Sequence, residues 1–270
     1  MQDETAIRRA TRLDHTEIYE IIRREGDEEL SRPTQSLLWS GVAAGLVMSF
    51  SVLGEAILRN ALPDTSWRYL IENLGYSFGF LMVILGRMQL FTENTITTIF
   101  PLVARGTLAC FGAVIRLWSI VLAANVLGAA IAAGFMVTSG AFAPELVDSI
   151  NELSRHATGF APGEAFLRGV PAGILVAAIV WMLPGQEGSD VLLIVLFTWL
   201  IAAGDFTHII AGSVEMWVLA FQGTLSMNEA LLAFFLPVLA GNVVGGTVVF
   251  TLLAWGQVKH EVSPAGETEH

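Results

Sequence analysis

The segment LLWSGVAAGLVMSFSVLGEAIL, residues 37–58, carries a single ionisable side chain, Glu55. A helix apolar on every face must be buried in protein or in lipid, and about 20 such residues span a bilayer's hydrocarbon core. Five more segments of this kind follow. One begins near Tyr69, and others lie within 108–137, at 166–183, from Val191 onward and at 231–254. Composition agrees: 54% of the 270 residues are hydrophobic and 14% are charged, where a soluble domain carries about 25% charged residues. The expectation is an all-α membrane protein with six transmembrane helices. The first 35 residues are polar and lack an early apolar stretch, so the first span is expected to direct its own insertion.

Charge orients the chain. Arg8, Arg9, Arg12, Arg23, Arg24 and Arg32 precede the first span. The positive-inside rule then places the N-terminus in the cytoplasm, and six spans return the C-terminus there. Three parts are expected: a cytoplasmic N-terminal segment, 1–35, with a partly amphipathic helix; a six-span channel domain, 36–256; and a disordered cytoplasmic tail, 257–270. The stripe Ile7, Leu13, Ile18, Tyr19, Ile21 and Ile22 fits a helix lying against the membrane domain or a neighbouring subunit, and equally a solvated helical tail. The net charge of −11 argues against nucleic acid as a partner. One cysteine, Cys110, excludes an intrachain disulfide and a cysteine-based metal site. Neither a metal nor another cofactor is expected.

Two spans are interrupted. GRMQLFTENTITTIFP, 86–101, puts Arg87, Gln89, Thr92, Glu93 and Asn94 where apolar residues are due, and GDFTHIIAGS, 204–213, does the same in the fifth span. Phe91-Thr92 precedes NVLGA at Asn125 by 34 residues, and Phe206-Thr207 precedes NVVGG at Asn242 by 36. Each half thus reads as span, broken span, span. Three spans per half make the repeats inverted, and paired broken helices in such repeats point to a solute site near the midplane. Irregular backbone at that depth must face protein or a polar cavity, because unpaired N–H and C=O groups in lipid each cost several kcal/mol.

His208 is the one histidine inside a span; His15, His156, His260 and His270 fall in loops or tails. An intramembrane ionisable group is a functional candidate by default, although a histidine pinned to hold the broken helix fits as well. Arg87 and Glu93 can pair across the first loop. Asp205 and Glu215, beside the second break, can bond freed backbone N–H groups. Glu55 and Arg168 are expected near the interfaces.

At these residues the chain resembles the formate/nitrite transporter family, along about 220 residues. The family's ELFTGN-type loop is here QLFTEN, 89–94; its third-helix signature is NVLGA; its FLRGI entry is FLRGV; its GFEHSVAN-like break is DFTHIIAG, 205–212; and its GNxxGG is GNVVGG, 241–246. The resemblance implies a homopentamer in the lipid bilayer with an aquaporin-like pore in each protomer. It implies small monovalent anions such as formate, nitrite, lactate or hydrosulfide as substrates, often moved with a proton, and an inner-membrane location. By motif, Phe91 helps form a constriction, Thr92 faces the central His208, Phe206 and Thr207 lie on the pathway, and Asn125 and Asn242 bind loop backbone. The chain departs from the family at Arg87, Gln89, Glu93, Thr207, Ile209 and Gly212, a pattern similar to the YfdC-like branch. Alternatives are a channel for a small neutral solute, a scaffold or sensor without transport, and an intramembrane hydrolase built on Ser213, His208 and Asp205. The last lacks a nucleophile elbow and an evident oxyanion hole.

Overall fold

The computed structural model describes residues 13–186 and 188–262. Ile7, Arg8, Arg9, Arg12 and the tail from 263 to 270 lie outside the described residues. Everything regular among the described residues is helical. Helix α1, His15–Ser31, is capped by Asp14, whose side chain accepts from the N–H groups of Thr16 and Glu17 while Glu17 bonds back to Asp14 N–H. This reciprocal box satisfies donors that an uncapped helix leaves open. Helix α2, Thr34–Ala61, is the first apolar helix long enough to cross a membrane.

The second apolar segment is built in pieces. Helix α3, Arg68–Glu72, passes through a 3₁₀ turn, Asn73–Tyr76, into α4, Ser77–Leu85. A break at 86–90 separates this from α5, Phe91–Thr97, and α6, Ile99–Arg105. Helix α7, Leu108–Thr138, is long and unbroken. The second half contains α8, Pro144–Thr158; α9, Pro162–Met182; α10, Asp190–Ala203; a second break at 204–208; and α11, Ile209–Phe221. Helix α12, Met227–Val258, closes the chain and includes two π-helical stretches. Helices α2, α7, α9 and α12 are each long and apolar enough to span a bilayer. Trp39, Leu108, Leu167 and Leu253 on these helices are largely exposed, as side chains facing lipid or a partner are.

The long helices touch at glycine. A Cβ on Gly45 of α2 would overlap the Asn125 carbonyl of α7, and one on Gly173 of α9 would overlap the Asn242 carbonyl of α12. Lipid supplies no hydrophobic drive between helices, so backbone-to-backbone approach at small residues supplies packing instead.

Two elements differ from expectation. Residues 144–158 form α8, which buries Ile150, Leu153 and Ser154 and carries His156, so this histidine lies on a helix rather than in a loop; Leu146, Val147, Ile150 and Leu153 recur at helical spacing behind a proline at the first position. At the C-terminus α12 continues to Val258, which is fully buried, two residues into the segment expected to be a tail. Glu261 reaches back to His15, 2.7 Å away.

The N-terminal helix lies against the membrane domain. Tyr19 and Ile22 are buried, with Tyr19 edge-on to Phe100 at 5.0 Å. Gly26 lets α1 approach the Thr97 carbonyl at the end of α5. Around this seam Arg105 Nη2 donates to Asp27 at 2.6 Å, Arg116 Nη2 to Arg32 O at 2.8 Å, and Gln89 Nε2 to Glu29 at 2.7 Å.

Candidate pore site at the two helix breaks

The breaks are built to one plan. In each, a non-glycine residue takes the left-handed conformation, Arg87 at φ 50° and Asp205 at φ 53°, which costs an L-residue roughly 1–2 kcal/mol. The next N–H reaches five residues back: Met88 to Val83 O at 3.0 Å, and Phe206 to Ile201 O at 2.9 Å. The chain then extends for two or three residues and re-enters a helix, with Leu90 as N-cap of α5 and His208 as N-cap of α11.

One buried asparagine fastens each break. Asn125 Oδ1 accepts from Phe91 N–H at 2.9 Å, and its Nδ2 donates to Gly41 O and Gln89 O, both at 2.8 Å. Asn242 Oδ1 accepts from Ile209 N–H at 2.8 Å, and its Nδ2 donates to Gly169 O at 2.9 Å and Thr207 O at 2.8 Å. Each amide thus satisfies two backbone groups of the break that lipid could not. It also fixes the adjoining straight helix. Both asparagines are fully buried.

These bonds revise the register of the repeat. Gln89 corresponds to Thr207, Leu90 to His208 and Phe91 to Ile209. The two Phe-Thr pairs that mark the breaks in the sequence are not equivalent positions. Identical letters align one way, and the backbone aligns on the residue that turns the chain.

His208 sits at the junction, 2% exposed. Its Nδ1 accepts from Ala211 N–H at 3.3 Å, and its Nε2 lies 2.8 Å from Thr92 Oγ1. A ring nitrogen that accepts carries no proton, so the neutral ring holds its proton on Nε2 and donates to Thr92. Thr92 keeps its own hydroxyl proton to give. Phe80 stands edge-on to the imidazole at 4.9 Å.

Cavities approach this point from two directions. A cavity of about 250 Å³ is walled by Tyr76, Phe206, Thr207, His208, Phe234 and a ring of carboxylates. A second, of about 580 Å³, is bordered by Gln89, Leu90, Glu93, Asn94 and Arg87, with Glu25, Glu28 and Glu29 of α1 above it. His208 belongs to one wall and Leu90, its structural counterpart, to the other. Fully buried Phe80 and Leu90 lie close to the junction.

Several expected roles change. The Phe91 ring packs against Trp118 at 5.5 Å and lines neither cavity; its contribution is the N–H held by Asn125. Thr207 lines the smaller cavity but gives its hydroxyl to Ala165 O at 2.8 Å. Asn94 donates to Gln89 and to Leu90 O, bracing the first break from inside. Arg87 and Glu93 do not pair: Arg87 is exposed, and Glu93 Oε1 is buried without a partner. Asp205 does not bond backbone N–H groups. It accepts from Tyr69 Oη at 3.0 Å and faces His156 Nε2 at 2.8 Å. Glu55 and Glu215 are both buried and line the smaller cavity. Arg168 donates to Glu164 and to Asp205 O and lies 4.2 Å over the Phe160 ring. Ser213 donates to Ile209 O at 2.6 Å within its own helix, away from the His208 nitrogens. Phe80, Tyr76 and Phe234 also belong to the site, and nothing in their local sequence distinguishes them from lipid-facing aromatics.

Comparison with known proteins follows the same lines. The family described as formate/nitrite transporter matches residues 16–256. The inner membrane protein YfdC of Escherichia coli is 42% identical over 252 residues, covering 93% of this chain and 81% of that protein. The formate channel FocA of Haemophilus influenzae is 25% identical over 243 residues, covering 80% of this chain and 84% of its own length. Among solved structures, an FNT family ion channel superposes with a TM-score of 0.79 at 18% identity, covering 90% of this chain and 99% of the other. A pentameric formate channel with formate bound superposes with a TM-score of 0.71 at 20% identity, covering 84% and 98%.

Proposed function

The chain belongs to the formate/nitrite transporter family, and from that premise we propose that it conducts a small monovalent weak acid, formate, nitrite or a similar ion, through a pore in each protomer. It is a membrane channel or transporter rather than an enzyme. The observation that carries the finer reading is the Thr92–His208 pair, joined at 2.8 Å between two cavities and fixed by two helix breaks.

The pathway runs from one cavity to the other past His208. Six crossings in two inverted three-helix repeats, with an aquaporin-like protomer, are supported by the matched breaks and their matched asparagines. A homopentamer is supported by the pentameric formate channel of the same fold and by the exposed apolar side chains of the long helices. The arginines before α2 support cytoplasmic ends and an inner-membrane location.

Electrostatics select the protonation state of what passes. Carboxylates outnumber bases around both cavities, which disfavours an approaching anion. Desolvating an ion at the dry junction is costlier still. A weak acid that meets the junction in its uncharged form avoids both penalties, and the Thr92 hydroxyl offers it a hydrogen bond. His208 serves as the fixed donor that orients Thr92. A permanently neutral small solute would find the same path open, and the acidic walls favour that second reading.

The test is flux in proteoliposomes for formate, nitrite, lactate and hydrosulfide across a range of pH, with empty liposomes and His208→Ala alongside. Flux that rises as pH falls and depends on His208 is the expected result. A variant unchanged in rate, selectivity and pH dependence would falsify the role given to His208.

A further inference from the structure

We propose that Glu55 and Glu215 form a binding site for a small ammonium-type cation in the cavity that ends at His208. Glu55 on α2 and Glu215 on α11 are 9% and 8% exposed, and both line that cavity. The neighbouring bases are committed elsewhere. Arg59 bonds Glu72 at 2.8 Å and Glu152 at 3.1 Å, Arg68 bonds Asp64 and Glu72, and His156 faces Asp205. Among the described residues no hydrogen-bond donor reaches either carboxylate.

A buried carboxylate without a partner is costly, and two facing one cavity add mutual repulsion. The occupant that relieves both brings positive charge and hydrogen-bond donors. The remaining walls narrow the choice. The rings of Tyr76, Phe206 and Phe234 border the same space, and aromatic faces attract organic cations. A hard metal cation is held instead by a full shell of oxygen ligands, and among the described residues no three His, Cys, Asp or Glu side chains are grouped so as to hold one. Carboxylates for N–H groups and rings for the charge are the chemistry of an ammonium or alkylammonium ion. At about 250 Å³ the cavity admits methylammonium with ordered water. This site lies in one cavity of the weak-acid path and rests on carboxylates that the Thr92–His208 pair does not touch.

The experiment is titration calorimetry on the purified full-length assembly, with methylammonium chloride as probe and sodium chloride as control. Saturable binding of methylammonium is expected, at least tenfold weaker in the Glu55→Gln/Glu215→Gln variant at unchanged assembly size. Absence of saturable binding by the native protein, or equal binding by an assembled variant, overturns the proposal. A measurement on the native chain covers the case of a variant that does not assemble. Modification of Glu55 and Glu215 by a hydrophobic carbodiimide, read by mass spectrometry, is expected to slow at least threefold with methylammonium and not with sodium; equal rates overturn the site. Formate flux is read in parallel. Flux without methylammonium binding removes the cation site and leaves the transport reading standing, and binding without flux does the reverse.

Discussion

Thr92 Oγ1 and His208 Nε2 lie 2.8 Å apart across 116 residues of chain, each at the start of the helix that follows its own break. Neither break can move without stretching this bond. Thr92→Val removes the acceptor and leaves a buried N–H unpaired, which costs about 1–3 kcal/mol. It also removes the hydroxyl that faces the solute. Weak-acid flux is expected to fall at least tenfold in Thr92→Val and to be largely kept in Thr92→Ser. Flux assays on the two variants, normalised to reconstituted protein, check this; equal loss in both would mean that shape rather than the hydroxyl matters.

The two asparagines should be interchangeable in energy. Asn125→Leu and Asn242→Leu each abolish three bonds to backbone and orphan two buried groups of the break, since Gly41 O and Gly169 O lie inside continuous helices. At about 1–3 kcal/mol per orphaned group, each variant should lose about 2–6 kcal/mol, by similar amounts. Denaturant unfolding in detergent measures it. A large inequality would show that one break is held by something other than its asparagine.

Glycine contacts make a sharper contrast. A Cβ at Gly45 or Gly173 would overlap a facing carbonyl, whereas Gly112 of α7 has nothing within 4 Å. Gly45→Ala and Gly173→Ala should destabilise by about 1–3 kcal/mol through overpacking. Gly112→Ala should be neutral or stabilising by up to about 1 kcal/mol, from the backbone entropy of glycine in a helix. Thermal unfolding of the three variants side by side decides.

Acid should loosen α1 late. The Arg23 side-chain hydrogen bond, with Arg24 adding to it, holds Glu20 down to about 2. A carboxyl whose folded value is depressed contributes stability above its ordinary range near 4.5 and loses it as pH falls through the folded value. Glu20 is partly exposed, so the contribution is modest. Pepsin cleavage within α1 is expected to rise between about pH 4.5 and pH 2, with a shallower rise in Glu20→Gln. An identical profile in the variant would dissociate Glu20 from α1 stability.

The apolar runs announced every long helix because lipid demands an unbroken stretch, and the polar letters at 86–101 and 204–213 announced the breaks for the same reason. Asn125 and Asn242 were legible as a pair, since two Asn-Val-x-Gly signatures stand at similar distances from the two breaks. Their equivalence to particular loop residues was not legible. It depends on which residue turns left-handed, and neither Arg87 nor Asp205 advertises that as a glycine does. Thr92 reaches the junction while the Phe91 ring turns to Trp118, because successive residues at a helix start point in different directions. That Glu55 and Glu215 share one cavity was invisible because α2 and α11 meet only in the fold.

The contact between His15 and Glu261, at 2.7 Å, carries a constraint of parity. Two residues that flank all the apolar helices and touch each other must be separated by an even number of membrane crossings. Four long helices already make an even count, so the two broken ones must both cross or both stay out. A substitution that ejected one break alone would strand the ends on opposite faces of the bilayer, and no rearrangement of loops could bring Glu261 back to His15. The two halves are thereby tied together through insertion as well as through the bonds at their centre.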